Sequence, residues 1–425
     1  METTIQSARS KSGYSWRNLA RFLGPGLLVA VGYMDPGNWA TDIQGGSEFG
    51  YSLLSVVFIS NIFAIVLQHL ALKLGIATGK DLAQACRDYY SRPVSFFLWV
   101  LCEIAIAACD LAEVIGSAIA LKLLFGLPLV VGILITGFDV LLILYFQNKG
   151  YRYLEILIGT LVFTIFGCFS YEILLAQPAV NDVLMGLIPH TKIATNPKML
   201  FIAIGILGAT VMPHNLYLHS SIIKTREIAP NDAAKSEAIT YATIDSTAAL
   251  LLAFFVNAAI LIIAASVFHK NGRTDIADIF DAHALLSPML GVKAASVVFA
   301  LALLASGQNS TLTGTMAGQI VMEGFLNIRL KPWIRRLITR CVAIVPALIV
   351  AIYYGEQATG MLLVGSQVVL SLQLSFAVFP LVAFTSSTEK MGVFANKKRL
   401  KITTYAIAFF IGGLNLYLVW QAAFS

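Results

Sequence analysis

Charge is what this chain has least of. Only 12% of its 425 residues are Asp, Glu, Lys or Arg, against 58% hydrophobic residues, and the mean hydropathy is +0.79. A soluble domain carries about 25% charged residues, so this surface is built for lipid. Cysteine is also scarce. The five cysteines, Cys86, Cys102, Cys109, Cys168 and Cys341, show no C-x-x-C spacing, which argues against a zinc ribbon or a disulfide framework and for reduced packing residues. Gly79-Lys80 lacks the further glycines and the Ser/Thr of a phosphate loop. No ATP-binding domain is legible, so any work done by the chain would have to draw on an ion gradient. There is no H-E-x-x-H pair and no nucleophile set beside a base, which argues against an enzyme. His69, His190, His269 and His283 have no neighbours spaced to form a ligand set. The stretch through Arg21 is polar and basic, without the short apolar core of a signal peptide.

What the chain does have is long apolar runs. Stretches of about 20 residues suit a bilayer, and eleven are expected, at 22–42, 51–73, 94–122, 128–147, 153–175, 199–221, 241–268, 287–318, 337–354, 359–383 and 402–423. An odd number puts the termini on opposite sides. With the N-terminal segment 1–21 inside, 23 of the 29 lysines and arginines fall in inner segments and only Lys122, Lys192, Lys198, Lys270, Arg273 and Lys293 fall outside. Inner loops are expected to hold that excess. The net charge of +6 then follows from topology, and no nucleic-acid or nucleotide partner is needed. The basic run Lys397 to Lys401 reads as a topology determinant in contact with lipid headgroups.

Two of the runs are interrupted. Asp35-Pro36-Gly37-Asn38 breaks the first and Met212-Pro213-His214-Asn215 the sixth. Proline lacks the N–H that continues a helix and glycine weakens it, so both segments should unwind and free backbone carbonyls within the bilayer. Aligned on proline, Asp35 stands opposite Met212 and Asn38 opposite Asn215. A hard carboxylate facing a soft thioether makes a transition-metal site. The five-span offset between the breaks is that of inverted repeats whose broken helices meet near the midplane. The repeats would be 22–175 and 199–383, with 402–423 added as an eleventh helix.

Span three carries Glu103, Asp110 and Glu113, seven and three residues apart on one helical face. Carboxyls in a membrane helix are expensive unless paired or lining a wet path. Arg340, His214 and His219 are the candidate partners. The functional reading is a proton relay in which Asp35 passes its proton to Asp110 with His214 nearby; a structural ion-pair cluster is the alternative.

The strings GYMDPGNWATDIQGGSEFGYSLL, DLAEVIGSAIALKLLFG, LGATVMPHNLYLHSS and SQVVLSLQLSFAVFPL resemble the natural resistance-associated macrophage protein (Nramp) family, and within it the bacterial proton-coupled manganese transporters. The resemblance covers nearly the whole chain. It implies an all-α LeuT-like fold in the bacterial inner membrane, with the N-terminus cytoplasmic and the C-terminus extracytoplasmic. It also implies alternating access and import of Mn²⁺ or Fe²⁺ with protons, without a permanently bound cofactor. The same resemblance gives Ala209 a ligating backbone carbonyl, and Gln367 a side chain that approaches the ion when the site closes; for Gln367 a buried amide tied to a neighbouring helix is the alternative. Sulfur from Met212 would favour Mn²⁺, Fe²⁺ and Cd²⁺ over Ca²⁺ and Mg²⁺. Two other readings are an amino-acid-type symporter on the same fold, against which the anionic Asp35 speaks, and a Mg²⁺-carrying relative, which would lack Met212.

Overall fold

The computed structural model describes residues 22–138, 151–328, 330–355 and 357–424. The expected inner segment 1–21, the later part of span four at 139–147, and the basic residues Lys149 and Arg329 lie outside the described residues. Among those described the protein is all-α, with no strand.

Among the described residues α1 (Pro25–Ala30) tightens into a 3₁₀ turn at Val31–Met34; α2 (Pro36–Phe49) and α3 (Leu54–Thr78) follow. A short α4 (Leu82–Tyr89) precedes the long α5 (Arg92–Phe125), α6 (Leu129–Thr136) and α7 (Tyr151–Ala176). The second half holds α8 (Pro197–Thr210), α9 (Pro213–Ile222), α10 (Asp232–Ile263) and α11 (Ile279–Leu290). It closes with α12 (Ala294–Leu326), α13 (Pro332–Tyr353), α14 (Gln357–Thr385) and α15 (Lys398–Phe424).

Local chemistry sets the boundaries. Asn196 caps α8 by accepting from Met199 N at 3.1 Å, with Pro197 at the first helical position. Asn231 does the same for α10, accepting from Ala234 N at 2.8 Å. That cap starts span seven at Asp232, nine residues before the expected 241. Span eight is also displaced. The apolar residues from 287 belong to α11, which ends at Gly291 in the left-handed region (φ 71°), and the spanning helix starts afresh at Ala294. A glycine adopts that conformation without a Cβ clash, and hydropathy alone does not see the turn.

Burial separates the centre from the lipid face. The most apolar stretch of Pro197–Thr225 is 94% buried inside the protein, whereas those of Ile156–Ala176 and Lys398–Gln421 are 28% buried. The sixth span is therefore the hub, wrapped by α3, α12 and α14. Among the described residues eight segments are long and apolar enough to cross a bilayer, one of them α2 and α3 together, and Pro25–Met34, Ile279–Leu290 and Leu337–Tyr353 are shorter apolar helices. The outer surface carries exposed Phe163, Leu174, Phe409 and Leu416, as a lipid-facing surface should.

Candidate metal site

Both breaks form where proline dictates. In the sixth span the carbonyl of Ala209 would bond the N–H of residue 213, but Pro213 has none, so α8 ends at Thr210. Val211 and Met212 leave helical geometry (φ −108°, ψ 65° and φ −61°, ψ 121°), and α9 restarts at Pro213. The freed Ala209 oxygen accepts instead from Asn38 Nδ2 at 3.0 Å. In the first span Asp35 is extended (φ −70°, ψ 165°) between the 3₁₀ turn and α2.

Asp35 Oδ1 accepts from Asn38 N and from Asn38 Nδ2, both at 2.8 Å, so this oxygen caps α2. Its other oxygen, Oδ2, is buried with no hydrogen-bond partner among the described residues. One amide group of Asn38 thus donates to both Asp35 Oδ1 and Ala209 O. Two oxygens from the two breaks converge on a single small electropositive group, and a divalent cation would present the same sign of charge to the same pair.

The other expected donors surround this point. Met212 belongs to a small buried apolar cluster with Ala105, Cys109 and Leu370, and its Sδ accepts from Asn215 Nδ2 at 3.6 Å. Gln367 lies against Gly37: a Cβ there would fall 1.8 Å from Gln367 Nε2, so only glycine lets the amide approach the break. Gln367 donates to Ser366 Oγ at 3.0 Å, and its Oε1 has no partner among the described residues. Asp35, Asn38, Ala209, Met212 and Gln367 are all 1% exposed or less. Among the described residues no three His, Cys, Asp or Glu side chains group as a metal cluster; this site offers a single carboxylate, and its other donors are amides, a carbonyl and a thioether.

Several residues that hold the breaks open were not singled out from sequence. Asn257 of α10 donates to the freed Tyr33 carbonyl at 2.8 Å and to Asn38 Oδ1 at 3.2 Å. Met34 O accepts from Trp39 Nε1 at 3.2 Å and from Ser306 Oγ. The signal available was a lone Asn in the run FFVNAAIL, which the hydropathy reading passed over.

The proposed proton residues divide into separate groups. Asp110 and Glu113 are buried, with Arg340 Nη2 3.7 Å from Glu113 Oε2 and Arg340 Nη1 3.5 Å from the Asp110 carbonyl. Thr311 joins them, accepting from Arg340 Nη2 at 2.6 Å and donating to Glu113 Oε2 at 3.1 Å. His214 is buried at the start of α9. Cys109 lies between this cluster and the break, sharing a small buried apolar cluster with Met212 and Leu370 and donating to Glu113 Oε1 at 3.7 Å. Glu103 stands apart, paired with Arg335 at 2.9 Å near one end of α5 and bonded by Trp99 Nε1 at 3.1 Å. His219 turns away from the carboxylates: its Nδ1 meets Gln68 Oε1 at 2.9 Å, and Gln68 Nε2 donates to Tyr33 OH at 2.6 Å. The helical register explains both. Glu103 lies two turns from Asp110, and five residues carry His219 round α9 to the α3 side. Arg335 and Arg340 are 5% and 1% exposed within α13, so they are core groups rather than loop charges, and the inner excess rests on the others.

Paired breaks meeting at a buried polar centre, inside an all-helical bundle, define a multi-pass membrane transporter of the LeuT-like type. The crystal structure of MhsT in complex with L-phenylalanine shares that fold, at TM-score 0.63 and 14% identity over 94% of this chain and 98% of that one. The particular family follows from the sequence. The model described as "Natural resistance-associated macrophage protein-like" matches residues 26–421, and the chain belongs to the Nramp family. It is 60% identical over 407 residues to the "Divalent metal cation transporter MntH" of Nostoc sp., covering 96% of this chain and 92% of that protein. It is similar also to the crystal structure of the Eremococcus coleocola manganese transporter, at TM-score 0.88 and 42% identity over 98% of this chain and 90% of that one.

Proposed function

We propose that this protein imports Mn²⁺, and with it Fe²⁺ and Cd²⁺, across the bacterial plasma membrane together with protons. The divalent ion is cargo, held between the two breaks by Asp35, Asn38, the Ala209 carbonyl, Met212 and Gln367. The observation that supports this best is the convergence of Asp35 Oδ1 and Ala209 O on one Asn38 amide, beside an Asp35 oxygen that has no partner. Turning that amide end for end would bring its oxygen to the ion and its NH₂ to Asn257, whose own Oδ1 has no partner. The names of the relatives, a divalent metal cation transporter and a manganese transporter, agree with this reading.

The two halves 22–175 and 199–383 act as inverted repeats, the 402–423 helix stands outside them, and the N-terminus faces the cytoplasm. Because every donor is buried, loading and release require the bundle to open on one side at a time. Protons leave Asp35 toward Asp110 and Glu113, the buried acids of α5. The fold alone admits an amino-acid carrier, since MhsT shares it. A carboxylate substrate, however, would meet Asp35 as a like charge.

The deciding experiment is Mn²⁺ uptake into proteoliposomes with a simultaneous internal pH readout. Metal entry with acidification supports the whole reading. Entry without acidification removes the coupling, and no entry of any divalent metal removes the function.

A further inference from the structure

Away from the metal centre, a groove of about 680 Å³ runs between α5, α14 and α15. Its walls are mostly apolar, with Leu98, Phe376, Phe379 and Val419 among them, and Gly412 opens its middle. The groove begins at Tyr90, just before the cytoplasmic end of α5 under the orientation proposed above, and runs along α14 and α15 past Gly412 to Val419. At this inner mouth the rings of Tyr90 and Phe384 stand 5.4 Å apart. Lys390 lies over the same ledge, its Nζ 3.9 Å from the centroid of Tyr89 and 4.4 Å from that of Phe384. The exposed Lys397, Lys398, Arg399 and Lys401 follow closely in the chain. Of the nearby acids, Asp88 already accepts from Lys80 at 2.7 Å, and Glu389 is exposed to solvent.

We propose that this groove is a binding site for one anionic phospholipid of the inner leaflet, its acyl chain along the groove and its phosphate at Lys390. The chain gains little by leaving the bilayer, because lipid tails are as apolar as the groove wall. Selectivity therefore belongs to the headgroup, and a cation on an aromatic ledge at the interface is placed to read it. The site bears on transport through α14. Asn415 of α15, which lines the groove, donates to Ser371 O at 2.6 Å and accepts from Ser371 Oγ at 3.0 Å, and Gln367 lies one turn away on the same helix. A lipid seated against α14 and α15 holds that clamp, and with it the approach of Gln367 to the break.

The test is native mass spectrometry of the full-length protein released from detergent, titrated with equal amounts of phosphatidylglycerol and phosphatidylethanolamine. Wild type is expected to retain one phosphatidylglycerol in preference. Lys390→Gln should reduce that preference about fivefold, the factor associated with one lysine at an anionic surface. Gly412→Leu, which fills the groove, should lose both lipids while its thermal unfolding midpoint shows it folded. Inorganic phosphate should displace nothing. Equal retention of the two lipids by wild type, an unchanged preference in Lys390→Gln, lipid retained by Gly412→Leu, or displacement by phosphate would each overturn the proposal. None of these readouts depends on transport, so they stand apart from the test of metal import.

Discussion

At the scale of single residues, Asp35 carries two tasks on two oxygens. Oδ1 caps α2, and among the described residues Oδ2 has no partner, so an ion in the proposed site can take Oδ2 while the cap on Oδ1 stays. Asp35→Ala is expected to lower Mn²⁺ affinity by about 30-fold or more, since removing one partner of a buried charge pair costs about 2–5 kcal/mol. Calorimetric titration reads this directly, and near-wild-type affinity would move the site elsewhere. Met212 should act on choice rather than on strength. A thioether contributes little to hard cations, so Met212→Ala is expected to weaken Cd²⁺ most and to let Ca²⁺ compete for uptake. If Ca²⁺ fails to inhibit the mutant, cavity size or hydration sets selectivity instead.

At the scale of elements, α5 is two helices in one. Its first half holds Glu103 with Arg335; its middle holds Asp110 and Glu113 with Arg340 and Thr311, beside the Cys109 that shares a buried cluster with Met212. The proposed proton path runs through the second group. Asp110→Asn keeps shape and hydrogen bonding but cannot titrate, so Mn²⁺ binding should stay within about threefold while metal-linked acidification falls. Acidification at the wild-type ratio in a folded mutant would make this cluster structural and leave His214 to carry protons. The separation of Glu103 from Asp110 was not legible in sequence. Spacing put all three carboxyls on one face, but the arginine that meets each is decided by how α13 crosses α5.

At the scale of the whole molecule, burial and charge give one layout. The broken sixth span is the most enclosed, and the fifth and eleventh face lipid. The orientation rests on the inner excess of lysine and arginine, even with Arg335 and Arg340 counted as core. A Lys398→Cys variant, at the exposed start of α15, is expected to react with an impermeant maleimide in inside-out vesicles only. Labelling of right-side-out vesicles would invert the topology.

The sequence by itself determined the membrane class, the family, the two breaks and the donor types at them. Each of these depends on local composition: apolar length, proline without an N–H, a carboxylate and a thioether at matched positions. Where helices end was less visible, since Gly291 divides one apolar run into two helices and Asn231 starts another early. Only the tertiary structure decided which groups answer the freed carbonyls. Asn38 reaches Ala209 across 171 residues, Asn257 reaches Tyr33 across 224, and Gln367 comes to Gly37 from α14. A hydrogen bond between distant residues depends on how helices cross, and no periodicity within one helix encodes that.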